Sequence, residues 1–212
     1  MQQADLLSDS CTINRDHLDI ELRGGFLSET RARTLLDHLL ETTPWQQPRV
    51  KVWGKWHLTP RLVSLYGDKD LHYAYSETRH GALPWTAQLT RLKQQVEKAC
   101  AQRFNAVLLN YYRDGQDTMG WHADDEAELG PQPCIASLSL GAARDIHFRP
   151  KSRACPPAHL NLQHGSLLLM RGDTQQHWQH HVPRRVRCTE RRLNLTFRFI
   201  YPDTPGAQTP AA

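Results

Sequence analysis

From Phe104 to Tyr201 the chain is a succession of short strand-forming runs cut by turn residues: AVLLNYY, CIASLSLG, RDIHFR, SLLLMRG, HWQHHV and RLNLTFRFI. No such run satisfies its own backbone amides, so the runs must pair with one another. Six or more strands in about 100 residues point to a sandwich, barrel or jelly roll.

The half before Phe104 reads differently. From Ser28, a residue suited to an N-cap, SETRARTLLDHLLET puts Ala32, Leu35, Leu36, Leu39 and Leu40 on one helical stripe. A second amphipathic helix fits Thr86 to Gln102, where Leu89, Leu92, Val96 and Ala99 recur at intervals of three and four. LDIELRGGFL suggests a short strand and turn, and VKVWGKWHLTPRLVSLYGDKDLHYAYS suggests short strands and loops. The expected fold class is α+β, mainly β. We expect a single domain over residues 1–212, with a two-helix N-terminal part over 19–103, a strand-rich core over 104–202, and flexible ends at 1–17 and 203–212.

No stretch approaches the length of apolar chain that a membrane-spanning helix requires, and no membrane partner is expected. The opening MQQADLLSDSCTINRDHLDI is acidic and polar where a signal peptide has a basic and then an apolar region, so a cytoplasmic, monomeric protein is expected. Five cysteines without a C-x-x-C pair read as reduced thiols. A net charge of +4 is compatible with a nucleic-acid partner without requiring one. Twelve histidines and six tryptophans say more, since both types serve metal and base-stacking chemistry.

His122 and Asp124 are two apart in GWHADDE, so on a strand or its exit both side chains project to one side and can reach one ion. The pattern alone is weak: His17-Leu18-Asp19 repeats it, and is read as structural there. A third ligand has three candidates downstream in QQHWQHHVP, namely His177, His180 and His181. Two histidines and one carboxylate hold one face of an octahedral Fe(II) and leave adjacent positions open. The strand period separates His177 and His181 from Trp178 and His180 but does not say which face is inside. His177 is expected to have only a hydrogen-bonding role.

In RLNLTFRFI the alternation is strict, with Leu193, Leu195, Phe197 and Phe199 on one face and Arg192, Asn194, Thr196 and Arg198 on the other. The polar face is either a solvated sheet surface, the commoner case, or the wall of a cavity built for a dianion. The two guanidinium groups start about 20 Å apart on an extended strand, and their long side chains can lean together over a short dicarboxylate. Asn110 and Tyr112 form another polar pair two apart.

Taken in order and spacing, NYYRDGQDTMGWHADDE, PCIASLSLGAARDIHFR, HGSLLLMRG, WQHHVP and RLNLTFRFIYP resemble the AlkB family of nucleic-acid dealkylating dioxygenases over nearly all of residues 104–202. The resemblance implies a double-stranded β-helix, a jelly-roll variant, as the catalytic core. It implies Fe(II) on His122, Asp124 and His180, with 2-oxoglutarate and O2 as cosubstrates. Arg198 would pair with the metal-proximal carboxylate of 2-oxoglutarate and Arg192 with the distal one, assisted by Asn110, Tyr112, Asn194 and Thr196. The implied activity is oxidative removal of alkyl groups from bases such as 1-methyladenine and 3-methylcytosine, with release of an aldehyde. These lesions are cationic, and Asp125 and Glu126 would either stabilise that charge or form a solvated acidic turn.

The N-terminal half extends the resemblance. VKVWGKWHLTPRLVSLYGD and LHYAYS are similar to the subgroup that repairs duplex DNA, which makes residues 19–103 a nucleotide-recognition part. Val52, Trp53 and Gly54 would then form a finger entering the base stack, with Tyr73, Tyr75 and Ser76 in the base pocket. Lys55 and Arg61 are cations near that finger, and Trp56 and Trp85 are assigned to the scaffold. Alkylated DNA, duplex and single-stranded, is the expected partner. The competing readings are a relative acting mainly on RNA or single-stranded DNA, and a non-enzymatic nucleic-acid-binding module with a vestigial metal site.

Overall fold

The computed structural model describes residues 10–52, 54–69, 71, 81–152 and 154–201. The chain opens with a hairpin of β1 (Cys11–Arg15) and β2 (Leu18–Arg23), followed by helix α1 (Glu29–Thr42). A second hairpin, β3 (Arg49–Val52) and β4 (Lys55–Leu58), precedes β5 (Leu62–Gly67), β6 (Leu83–Pro84) and helix α2 (Ala87–Cys100). Then come β7 (Ala106–Tyr112), β8 (Met119–His122), β9 (Ile135–Gly141), β10 (Arg144–Pro150), β11 (Ala158–Leu162) and β12 (Leu167–Arg171). A single helical turn α3 (Thr174–His177), β13 (Trp178–Val182) and β14 (Arg192–Arg198) complete the described order.

The strands form a large sheet in the order β1-β2-β12-β9-β14-β7-β5-β6 and a smaller one in the order β11-β10-β13-β8. All pairings are antiparallel except β5 with β6. One face of the large sheet meets the helices. Leu35, Leu36 and Leu39 of α1 and Leu89, Leu92 and Val96 of α2 share a core with Val107, Leu109, Leu138, Leu193, Leu195 and Phe197. The opposite face meets the small sheet through Leu168, Met170, Ile146, Phe148, Leu160 and Trp178. Two stacked antiparallel sheets with helices outside the larger one give the jelly-roll core.

Both helices form where their apolar stripes predict. Thr86 caps α2, its hydroxyl accepting from the Leu89 N–H at 3.2 Å. Ser28 occupies the N-cap position of α1 but makes no side-chain capping bond, so burial of the apolar stripe holds that helix.

Two boundaries differ from expectation. Residues 11–15 are not a loose end: β1 pairs with β2 from Cys11↔Leu22 to Arg15↔Leu18. Five alternating residues, too few to signal a strand alone, gain their ladder from the partner. Nor does the chain separate near Phe104, since β2 pairs with β12 and β5 with β7, which makes the N-terminal part co-author of the large sheet. Trp85 packs against the core, whereas Trp56 is 53% exposed on β4 and is no scaffold residue.

Phe197 is fully buried in the middle of β14 and tilted against Phe104 at 6.0 Å between ring centroids. Phe197→Ala leaves a cavity that the paired strand cannot collapse into, at a cost of about 3–5 kcal/mol. The urea midpoint is expected to fall by that free energy divided by the slope m, with m itself unchanged.

Candidate active site

Strands β8 and β13 are neighbours with His122 opposite His180, their rings 4.2 Å apart between centroids. Asp124 follows the end of β8 and is 2% exposed. Its backbone N–H donates to Gln175 Oε1 at 2.9 Å, which ties the turn after β8 to α3. One donor atom from each of His122, Asp124 and His180 lies within 4.8 Å of the other two. His122 Nδ1 is 2.9 Å from the Gly120 carbonyl. A carbonyl only accepts, so Nδ1 carries the proton and the Nε2 lone pair is free to bind a cation.

The charges suit ligation. Burial favours the neutral acid at Asp124, but Arg198 first, then His180 and His122, outweigh it and hold the carboxyl at about 2. Arg198 Nη2 donates to Asp124 Oδ1 at 2.6 Å. Burial, reinforced by His122, pushes His180 down to about 3 against the pull of Asp124. At neutral pH the group therefore stands as a carboxylate and a neutral imidazole, the forms in which these side chains bind metals.

Between the two sheets the cluster opens into a narrow cavity of about 40 Å³. Asn110 and Tyr112 of β7 and Arg192, Asn194, Thr196 and Arg198 of β14 supply its polar wall. Met119, Ile146, Leu162 and Val182 face them. The alternation of β14 decides this: its odd residues enter the helix-side core and its even residues enter the cavity.

Arg192 is the unusual member. It is 1% exposed, donates from Nη2 to Ser139 Oγ at 3.0 Å, and lies 5.0 Å from the centre of the Tyr112 ring. Its Nε and Nη1 are buried with no hydrogen-bond partner among the described residues. Burial pulls its pKa below the ordinary arginine value. A buried guanidinium with unused donors is costly unless an anion completes it. Arg144, on the same tyrosine ring, donates from Nη1 and Nη2 to the carbonyls of Asp114, Asp117 and Pro183, and of its donors only Nε lacks a partner among the described residues. Asn194 donates to Ser137 Oγ at 2.7 Å and accepts from Thr196 at 2.9 Å, so these two hold the wall in place.

The structure thus brings His122, Asp124, His180, Asn110, Tyr112, Arg192, Asn194, Thr196 and Arg198 to one cavity. His181 lies outside it, stacked on Trp121 at 3.8 Å, and His177 ends α3 rather than beginning a strand. Asp125 is exposed and paired with Lys151 at 2.8 Å. Glu126 precedes the turn Ala127–Leu129 and keeps a buried Oε2 without a hydrogen-bond partner among the described residues. Trp53, Tyr73, Tyr75 and Ser76 lie outside the described residues, and only the backbone of Val52 is described. Gly54 follows in the β3–β4 turn with φ +76°, a left-handed conformation that glycine adopts without strain. Arg61 is no surface cation: it is 4% exposed and donates to Asn110 Oδ1 at 2.7 Å.

Ser137, Ser139 and Gln175 were not anticipated. The serines were legible in principle, because CIASLSLG alternates Ser137 and Ser139 against Ala136, Leu138 and Leu140. Gln175 carried no signal, since its partner is a backbone N–H 51 residues away.

Two imidazoles and one carboxylate fit Fe(II), leaving coordination positions open. The unused donors of Arg192 fit a carboxylate of 2-oxoglutarate, to which they would give charge-assisted hydrogen bonds.

Comparison with known proteins agrees. The model of the 2OG-Fe(II) oxygenase superfamily matches residues 19–198. The chain is 40% identical over 196 residues to the rat alpha-ketoglutarate-dependent dioxygenase alkB homolog 3, covering 86% of this chain and 64% of that protein. It is 45% identical over 163 residues to the bovine DNA oxidative demethylase ALKBH2, covering 74% of this chain and 59% of that protein. The human protein of the latter name is 45% identical over 159 residues, covering 72% and 61%. The chain therefore spans less than two thirds of the length of these curated relatives. The solved structure of OsALKBH1 superposes with a TM-score of 0.61 at 13% identity, covering 90% of this chain and 99% of that one, which supports the fold alone. The donor cluster, the arginine-walled cavity and these matches lead to one assignment: the chain belongs to the AlkB family of the 2OG-Fe(II) oxygenase superfamily.

Proposed function

We propose that the protein is an Fe(II)- and 2-oxoglutarate-dependent oxidative demethylase of N-alkylated bases in DNA. The observation that carries this reading is a single buried cavity with a two-histidine, one-carboxylate cluster at one place and an arginine with unused donors at another. His122, Asp124 and His180 hold the iron, Arg192 takes the distal carboxylate of the cosubstrate, and Arg198 serves its near end while orienting Asp124. Bound Fe(II), with 2-oxoglutarate as reductant and O2 as oxidant, would supply the chemistry that hydroxylates the alkyl carbon. The residues themselves bind, orient and exclude water: the apolar face of Met119, Ile146, Leu162 and Val182 keeps bulk solvent from the cavity.

For the substrate, the reading rests on the names of the relatives and on the hairpin β3–β4. These strands pair with each other and with no other named strand, and β4 is exposed along its whole length. Val52 pairs with Lys55, and Gly54 lies in the turn between the two strands. Extruding a base from a duplex costs a few kcal/mol, and an apolar wedge at the vacated stack offsets it. Trp53 supplies such a wedge.

The test is mass spectrometry of an oligonucleotide bearing 1-methyladenine, single-stranded and in duplex, with and without 2-oxoglutarate. Loss of the methyl mass only when 2-oxoglutarate is present is expected on both. At one fixed salt concentration, Trp53→Ala is expected to lose about tenfold or more on the duplex and little on the single strand. Equal losses on the two substrates would remove the duplex assignment, and no demethylation of either would remove the activity.

A further inference from the structure

A second pair of histidines with a carboxylate lies where the β1–β2 turn meets α3. His17 Nδ1 is 3.4 Å from Asp173 Oδ2. The rings of His17 and His177 stack at 4.1 Å between centroids with 17° between planes. One donor from each of the three residues lies within 4.8 Å of the other two.

The backbone holds His17 there at some cost. Arg15 pairs with Leu18, so Asp16 and His17 form a two-residue loop, with φ of 50° and 66°. Loops of this kind favour glycine or asparagine at the second position, because a bulky side chain is strained at positive φ. The strained position presents the imidazole to Asp173 and His177. Two bonds assemble the halves in advance: Trp178 Nε1 donates to the Asp16 carbonyl at 2.9 Å, and the Asp19 N–H donates to Thr174 Oγ1 at 2.9 Å. Gln132 Nε2 donates to Asp173 Oδ1 at 2.8 Å, which orients the carboxylate and leaves Oδ2 toward His17.

We propose that His17, Asp173 and His177 form a surface site for a zinc-class divalent cation, separate from the cluster of His122, Asp124 and His180. Tetrahedral coordination with bonds near 2.0–2.1 Å needs donors about 3.3 Å apart. The His17–Asp173 edge already has that spacing, and the His177 donor closes by on the order of 1 Å through side-chain rotation. The His17 side chain is 58% exposed and has room to turn, and water completes the shell. Two imidazoles among three donors favour zinc, copper or nickel over magnesium or calcium. A bound cation ties the β1–β2 turn to α3, immediately before the strand that carries His180.

The experiment uses the full, iron-free chain and Zn2+ as probe, with bound metal counted after gel filtration and the thermal midpoint followed in parallel. Because the iron-type cluster also takes zinc, the proposal is read from differences. His17→Asn is expected to bind one equivalent fewer than the unaltered protein, Asp124→Ala also one fewer, and the double variant two fewer. Asparagine accepts the left-handed backbone, so the metal-free midpoint of His17→Asn is expected to hold while part of the Zn2+-induced rise disappears. Mg2+ is expected to give no rise attributable to His17. Asp173→Asn, which keeps an oxygen for Gln132, is expected to lose the same equivalent and covers the case in which His17→Asn fails to fold. Retention of the full complement of zinc by either variant would overturn the proposal.

Discussion

Replacing His180 with alanine is expected to abolish turnover and to weaken Fe(II) binding by more than about 100-fold, beyond the 10–100-fold typical of residues that merely support metal ligands. The expectation rests on position. His180 is 6% exposed, faces His122 across the β8–β13 pair, and is held neutral by burial. Fold loss does not confound the result, because Asp124 keeps its Arg198 partner when the imidazole is removed. His181→Ala is the matched control. It removes a ring stacked on Trp121, outside the cavity, and is expected to leave iron binding unchanged. Equilibrium iron binding and single-turnover rates measured on both variants decide the matter. Normal iron affinity in His180→Ala, with loss in His181→Ala, would reverse the ligand assignment.

The second large effect is expected at Arg192. Arg192→Lys keeps the charge but replaces a planar fork by a point donor, and is expected to raise the 2-oxoglutarate requirement by about 10- to 100-fold. Iron binding should be unaffected, because Arg192 bonds to Ser139 and not to the metal cluster. Arg198 is expected to behave differently: it holds Asp124 at 2.6 Å, so Arg198→Lys disturbs iron and cosubstrate together. Steady-state titrations with 2-oxoglutarate and with pyruvate, which lacks the distal carboxylate, separate these roles. Loss of the preference for 2-oxoglutarate over pyruvate in Arg192→Ala places the distal carboxylate at this residue. An unchanged cosubstrate dependence would make the β14 arginines merely structural.

Local pattern carried much of this protein. The stripes of α1 and α2, the strand-rich second half and the two-faced character of RLNLTFRFI follow from periods of 3.6 and 2 in the chain itself. So does the pairing of His122 with Asp124 on one side of a strand exit. The ordered motifs from Asn110 to Pro202, met together, were enough to suggest the family.

Tertiary structure decided what local pattern left open. Every residue of β14 is buried, so alternation named two faces without saying which one was a cavity. Only stacking the small sheet against the large one made the even residues a wall. The two H-x-D sequences look alike in the chain, yet His122 and Asp124 together gain His180 through a strand pairing, whereas His17 without Asp19 meets Asp173 and His177 where a turn meets a helix. Arg61, named from the sequence only as a cation near the finger, is drawn inward to Asn110, 49 residues away. The physical reason is common to all of these cases. Side-chain direction is set locally by backbone geometry, whereas burial and third partners depend on pairings between distant segments, whose register is settled only when the sheets close.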